Sequence, residues 1–267
     1  MNDPSQMFVF DRALVQRHRE RAAAHFEQHQ ILFEETSDLL MERLGDIKRD
    51  FASVLDLGAR NKLLADKLKQ RYATHNITTN LSATRHENSP LLANGLDEEL
   101  LPVTANCFDL VVSNLHLHWV NDVPGVLKQI KQSLKPDGLF LACLLGGDTL
   151  YELRECLMDA ELKITGGISP RVSPRIDLPT ASALLQRAGF ALPVTDQETI
   201  VLTYSDMFAL MRDLRGMGEN NSTTQRLKHF TRRSVFMEAA RLYTERYVQG
   251  DGRISATFEV IFLHGWK

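Results

Sequence analysis

Apolar positions along the chain change period several times, and each change marks an element. Between residues 8 and 50, Phe8, Phe10, Leu14 and Val15 lead into a charged segment with Arg12, Arg17, Arg19 and Arg21, and then Ile31, Leu32, Phe33, Leu39, Leu40, Met41 and Leu44 recur near helical spacing before Gly45. That pattern predicts helices with a solvated face, the arginines balanced by Glu20, Glu27, Glu34 and Glu35. The period then shortens. Residues 53–57 form a brief apolar run ending in Asp56-Leu57-Gly58, and a helical pattern resumes over 63–72. A strand, a tight turn and a helix in that order read as the opening of a nucleotide-binding βαβ unit. In such a unit a glycine turn brings bare backbone to a ligand at a helix N-terminus. Here only Gly58 is a glycine, and Arg60 and Lys62 stand where more would be expected.

The alternation continues. Residues 77–81 predict a short second strand, 108–113 a buried strand, 123–134 an amphipathic helix stopped by Lys135-Pro136-Asp137-Gly138, and 139–145 another buried strand. Nearly continuous apolar runs of this kind belong to parallel sheets covered on both faces. Beyond them, 149–164 and 180–187 read as helices, with the Gly166 to Arg175 segment between them as a mobile, solvated loop. Residues 198–204 read as a strand, Ser205 as the cap of a helix running to Leu214, 233–248 as a last helix and 256–266 as a strand. The predicted class is therefore α/β and Rossmann-like: a mostly parallel sheet with helices on both faces, an antiparallel C-terminal edge and N-terminal helices. The expected divisions are residues 1–50 as a helical segment, 51–148 as the ligand-binding core and 149–267 as helices and strands completing the sheet.

Composition narrows the function classes. A net charge of −3 on 267 residues gives no basic field to attract nucleic acid. Three cysteines, Cys107, Cys143 and Cys156, have neither metal-type spacing nor an even count, which points to a reducing compartment. No run approaches the roughly 20 apolar residues of a membrane span, and the first residues show no signal core or transit pattern. A cytoplasmic protein is the expectation, with peripheral association at the inner face of a membrane left open. His116 and His118 alternate at strand spacing, but no third ligand is nearby, so no metal site is expected.

Asp56-Leu57-Gly58, Phe108-Asp109-Leu110-Val111 and Leu134-Lys135-Pro136-Asp137-Gly138 fall in the order of the class I S-adenosylmethionine (SAM) methyltransferases, which the chain resembles. Within that superfamily it resembles the arginine-hydroxylase assembly factors of respiratory complex I. Val9-Phe10-Asp11-Arg12, Leu117-His118-Trp119-Val120-Asn121-Asp122, Gly146-Gly147-Asp148-Thr149-Leu150-Tyr151-Glu152-Leu153-Arg154 and Gly265-Trp266-Lys267 carry that likeness. The resemblance implies SAM as cofactor and a complex I subunit, modified at an arginine, as protein substrate. By position it assigns Asp56 and Gly58 to the loop around the amino-acid end of SAM, Asn80 to the ribose and Asp97 to the adenine. Ser113 and Asn114 would lie beneath the sulfonium, with His118, Trp119 and Tyr151 lining substrate entry as the catalytic candidates.

Three departures bear on that assignment: Arg60 and Lys62 replace loop glycines, and Asn80 replaces the ribose carboxylate. If either loop position needs φ > 0, a side chain there costs about 1–2 kcal/mol. Arg60 and Lys62 would otherwise fill the pocket or pair with Asp56 or Asp97. Three readings therefore stand: a SAM-dependent enzyme of complex I maturation, a non-catalytic assembly chaperone with a degenerate pocket, and a methyltransferase acting on a small molecule or an acyl-carrier protein.

Overall fold

The computed structural model describes residues 8–72, 76–81, 99–101 and 104–267. The chain divides into two compact units. One comprises residues 30–145, 176–197 and 260–267, and the other residues 1–29, 146–175 and 198–259.

The first unit holds helices α2 (Ile31–Gly45), α3 (Leu63–Arg71), α4 (Val123–Ser133) and α6 (Leu178–Arg187) around strands β1 (Ser53–Ala59), β2 (Asn76–Leu81), β3 (Phe108–Asn114) and β4 (Leu134–Leu145). Strands β5 (Ala191–Tyr204) and β6 (Ile254–Trp266) each begin or end in it. The sheet order is β2-β1-β3-β4-β6-β5. Strands β1 to β4 pair in parallel, and β6 is antiparallel to β4, with Leu139 opposite Trp266 and Leu145 opposite Val260. The expected α/β sheet with an antiparallel C-terminal edge is what forms.

The physical reason lies in alternation on two-faced strands. In β4, Phe140, Ala142 and Leu144 enter a core with Leu127 and Ile130 of α4 and Leu185 of α6. The intervening Leu141 and Cys143 are equally buried, and α2 packs against β3 and β4. Both faces are covered, so the strands read as unbroken apolar runs. Asp109, at the start of β3, accepts a hydrogen bond from the Ser53 N–H (2.9 Å) and pairs with Lys135 (2.9 Å), tying the beginnings of β1, β3 and β4 together. The Lys135-Pro136-Asp137-Gly138 turn does end α4, but it lies within the start of β4, with Asp137 at φ +57°.

The second unit holds α1 (Arg12–Ala23), α5 (Tyr151–Thr165), α7 (Met207–Met217) and α8 (Arg233–Tyr247), with α5 packed on α8 and α1 on α7. Two expectations need correction here. Arg19 is not on a solvated face but fully buried. The cap of α7 is Asp206, whose carboxylate accepts from the Ala209 N–H at 2.8 Å, and not Ser205. An ionised acceptor at that position satisfies an orphan donor and also favours the positive end of the helix. Among the described residues no helix is long and apolar enough to cross a membrane.

Gly265 in β6 is held against Phe190, whose ring stacks on Phe140 at 5.4 Å; a Cβ on Gly265 would meet the Phe190 Cβ at 2.7 Å. Gly265→Ala is expected to lower stability by about 1–3 kcal/mol, read as a lower urea midpoint with an unchanged slope. An unchanged midpoint would mean that this end of β6 does not pack as described.

Candidate functional site

The carboxyl ends of β1 and β3 bring together four of the residues expected to touch a cofactor: Asp56, Gly58, Ser113 and Asn114. Their surroundings differ. Asp56 is buried, and both carboxylate oxygens lack a hydrogen-bond partner among the described residues. Burial alone pushes its pKa up to about 7, because the charged form loses water and gains no donor in exchange. It therefore pairs with neither Arg60 nor Lys62.

Gly58 has φ +73°, a backbone state that favours glycine. Its open face is already occupied. A Cβ there would lie 2.0 Å from Cγ of His116, so the imidazole ring rests directly against the glycine backbone. Arg60 and Lys62 do not carry the feared backbone strain. Neither is among the residues with positive φ, and Lys62 sits at φ −90°, ψ 2° as the residue before α3. The turn is instead knit by side chains. Asn61 accepts from the Leu63 N–H (3.1 Å) and donates to Gln30 Oε1 (2.7 Å), while the Arg60 guanidinium stands 6.0 Å over the Phe33 ring. An N–H at the head of α3, the kind of donor that would face an anionic group, is thus engaged from within the chain.

Ser113 and Asn114 are placed as expected but are spent internally. Ser113 Oγ donates to the Leu57 carbonyl (3.0 Å). Asn114 Nδ2 donates to the Phe33 carbonyl (3.0 Å), and its Oδ1 accepts from Thr36 Oγ1 (2.8 Å) and from Cys143 Sγ (3.1 Å). The Cys143 thiol stays protonated, since burial pushes its pKa up to about 12. His118 follows in a 3-10 turn, Leu117–Trp119, where its Nδ1 accepts from the Leu145 N–H at 3.3 Å. That acceptor role leaves the ring proton on Nε2 when the imidazole is neutral. Trp119 lies beside it, 5.6 Å between ring centroids, and is itself buried. Asp97 falls outside the described residues, and of Asn80 only the backbone is described, opposite Leu57 in β2.

Tyr151 belongs to the other unit. It opens α5 after Leu150, which has φ +57°, and its ring meets Tyr247 edge-on at 6.0 Å. The neighbouring Glu152 is a structural group. Its carboxylate accepts from the backbone N–H (3.2 Å) and the hydroxyl (2.5 Å) of Thr257.

Residues 16–192 match the family model described as a methyltransferase domain. Human arginine-hydroxylase NDUFAF5, mitochondrial, is 41% identical over 99% of this chain and 78% of its own length. The chain belongs to the NDUFAF5-like methyltransferase-domain family. A more distant relative, the malonyl-[acyl-carrier protein] O-methyltransferase of Laribacter hongkongensis (strain HLHK9), is 34% identical over 98% of this chain and 92% of its own. The solved YcgJ protein of Bacillus subtilis, at 14% identity, covers 87% of this chain and 98% of its own with a TM-score of 0.51, which speaks for the fold alone.

Against that family's cofactor, SAM, the described turn does not fit as it stands. The glycine face that would admit the ligand carries the His116 ring, and an anion-facing amide is capped by Asn61. His116 was visible in the sequence only as half of a discarded metal pair. Nothing in the sequence says that a side chain two residues past β1's neighbour strand, β3, folds back on the glycine.

The orphaned Asp56 has a measurable signature. A carboxyl raised to about 7 in the folded protein binds a proton that the unfolded chain has already released above about pH 4. Stability contributed by this group is therefore greatest at acid pH and falls as pH rises through 7, by roughly 4 kcal/mol in full. Asp56→Asn is expected to remove that slope and to be more stable than the natural chain at pH 8. Parallel stability–pH curves for the two proteins would refute the assignment.

Proposed function

We propose that this chain helps mature a protein subunit of respiratory complex I by holding its client rather than by transferring a methyl group. The observation that carries the reading is the glycine turn closed from within, by His116 on Gly58 and Asn61 on α3, inside a Rossmann-like methyltransferase fold. Membership of the NDUFAF5-like family supports the link to complex I, and relatives named as arginine-hydroxylases are in keeping with a client that is a protein. No step through SAM is assigned. Residues that would have served the cofactor, Ser113 and Asn114, work instead as ties between strands and helix.

A second reading is favoured by one observation, the two unsatisfied oxygens of Asp56. A buried carboxylate without donors costs stability, and such groups are commonly retained for a ligand. In that reading His116 swings off Gly58, SAM enters, and a protein side chain is presented near His118 and Trp119. The kinship with malonyl-[acyl-carrier protein] methyltransferases keeps a small-molecule or carrier-protein methyl acceptor as a third candidate.

Titration calorimetry with SAM separates the first two. The natural chain is expected to show no binding heat, and a chain with Arg60→Gly, Lys62→Gly and His116→Ser is expected to regain it. Micromolar binding by the natural chain would overturn the holding role and leave the enzyme reading in place. Deleting the gene is expected to lower assembled, membrane-bound NADH dehydrogenase in the source cell. Normal assembly in the deletion strain would sink both complex I readings and leave the carrier-protein acceptor.

A further inference from the structure

The proline-bracketed loop from Gly166 to Arg175 reads in sequence as mobile and solvated, yet its two arginines turn inward. Arg171 makes a paired contact with Glu161 and donates to Thr231 Oγ1 at 2.6 Å. Arg175 is buried to 4% side-chain exposure and meets Glu219, itself 3% exposed, at 3.4 Å. Burial lowers the Arg175 pKa to about 10, with Glu219 partly restoring it. Both arginines line a cavity of about 270 Å³ within the second unit.

The walls of this cavity carry two chemistries. Leu150, Leu153 and Leu157 of the α5 region and Met211, Leu214 and Phe236 of α7 and α8 supply apolar lining. Arg171, Arg175 and Arg226 also line it, against a single lining carboxylate, Glu219. The carboxylates that hold Arg171 and Arg226, Glu161 and Asp11, are not part of the lining. The lining thus combines guanidinium groups with apolar side chains. Two of the five N–H groups of Arg226 go to the Thr223 carbonyl (2.9 Å) and to Asp11 (3.2 Å), which leaves donors for another acceptor. Asn220, also in the lining, has a buried side-chain oxygen with no hydrogen-bond partner among the described residues. Either end of that amide can face the cavity.

We infer that this cavity binds an aliphatic carboxylate of medium chain length, its head at Arg226 and Asn220 and its tail between the leucines of α5 and the α7–α8 side. A volume of about 270 Å³ corresponds to roughly nine water volumes, and so to a ligand on the order of ten non-hydrogen atoms. An uncharged ligand leaves the guanidinium donors and the Asn220 amide unspent, and a cationic one meets three arginines. The inference rests on the second unit alone and is independent of whether the glycine turn of the first accepts a cofactor.

The test is calorimetric titration of the full chain with octanoate, alongside 1-octanol and octylamine. Octanoate is expected to bind saturably and the other two not. Arg226→Gln is expected to weaken octanoate at least about tenfold, the loss of one charge-assisted hydrogen bond, and Asn220→Ala to weaken it less. Leu153→Trp, which adds bulk to the apolar lining without touching charge, is expected to abolish binding. Should the tryptophan variant fail to fold by circular dichroism, the two polar variants still decide. No saturable heat at millimolar octanoate overturns the inference, as does octanol binding as tightly as octanoate. Unchanged affinity in folded Leu153→Trp, or in Arg226→Gln, overturns the location.

Discussion

A small knot of neutral hydrogen bonds around Asn114 is the constraint on which the first unit's ligand edge depends. One amide side chain at the end of β3 reaches the Phe33 carbonyl and the Thr36 hydroxyl on α2, and the Cys143 thiol on β4. Ser113, one residue earlier, reaches the Leu57 carbonyl on β1. All of these groups are buried, where an unpaired amide or hydroxyl costs more than a made bond returns. The knot therefore sets the register of three strands and one helix at the sheet edge where open α/β folds bind ligands. It also uses up the polar atoms that a ligand would otherwise meet.

That outcome shapes how the glycine turn behaves. Arg60 and Lys62 raise the prospect of strain, but the backbone avoids left-handed geometry at both positions and the side chains take over. His116 covers Gly58, Asn61 caps α3, and Arg60 lies over Phe33. Asp56 stays buried with no donor to its carboxyl among the described residues.

The second unit handles charge differently. It buries Arg19 and Arg175 and leans Arg171, Arg226 and Arg246 on Glu161, Asp11 and Asp159. Buried ion pairs rarely add stability over apolar packing, but removing one partner is strongly destabilising. Of these, Arg171, Arg175 and Arg226 line the cavity, each fixed by a carboxylate partner.

The hydrophobic period along the chain was enough to determine the α/β sheet, its parallel core, the helix following β1 and the antiparallel late strands, because burial on two faces leaves an unbroken apolar run and burial on one leaves alternation. The order of Asp56-Leu57-Gly58, the β3 run and the long Gly146 to Arg154 motif was likewise enough to find the family. Residue roles were another matter. Whether Ser113 and Asn114 face a ligand or a neighbouring helix, whether His116 covers Gly58, and whether Arg19, Arg171 and Arg175 point to water or inward are decided by residues tens to hundreds of positions away. Arg226 meets Asp11, and Thr36 meets Asn114, only once the chain has folded. Local spacing specifies which face of an element is buried. What that face then touches, and so which polar groups remain to do chemistry, is settled by tertiary packing alone.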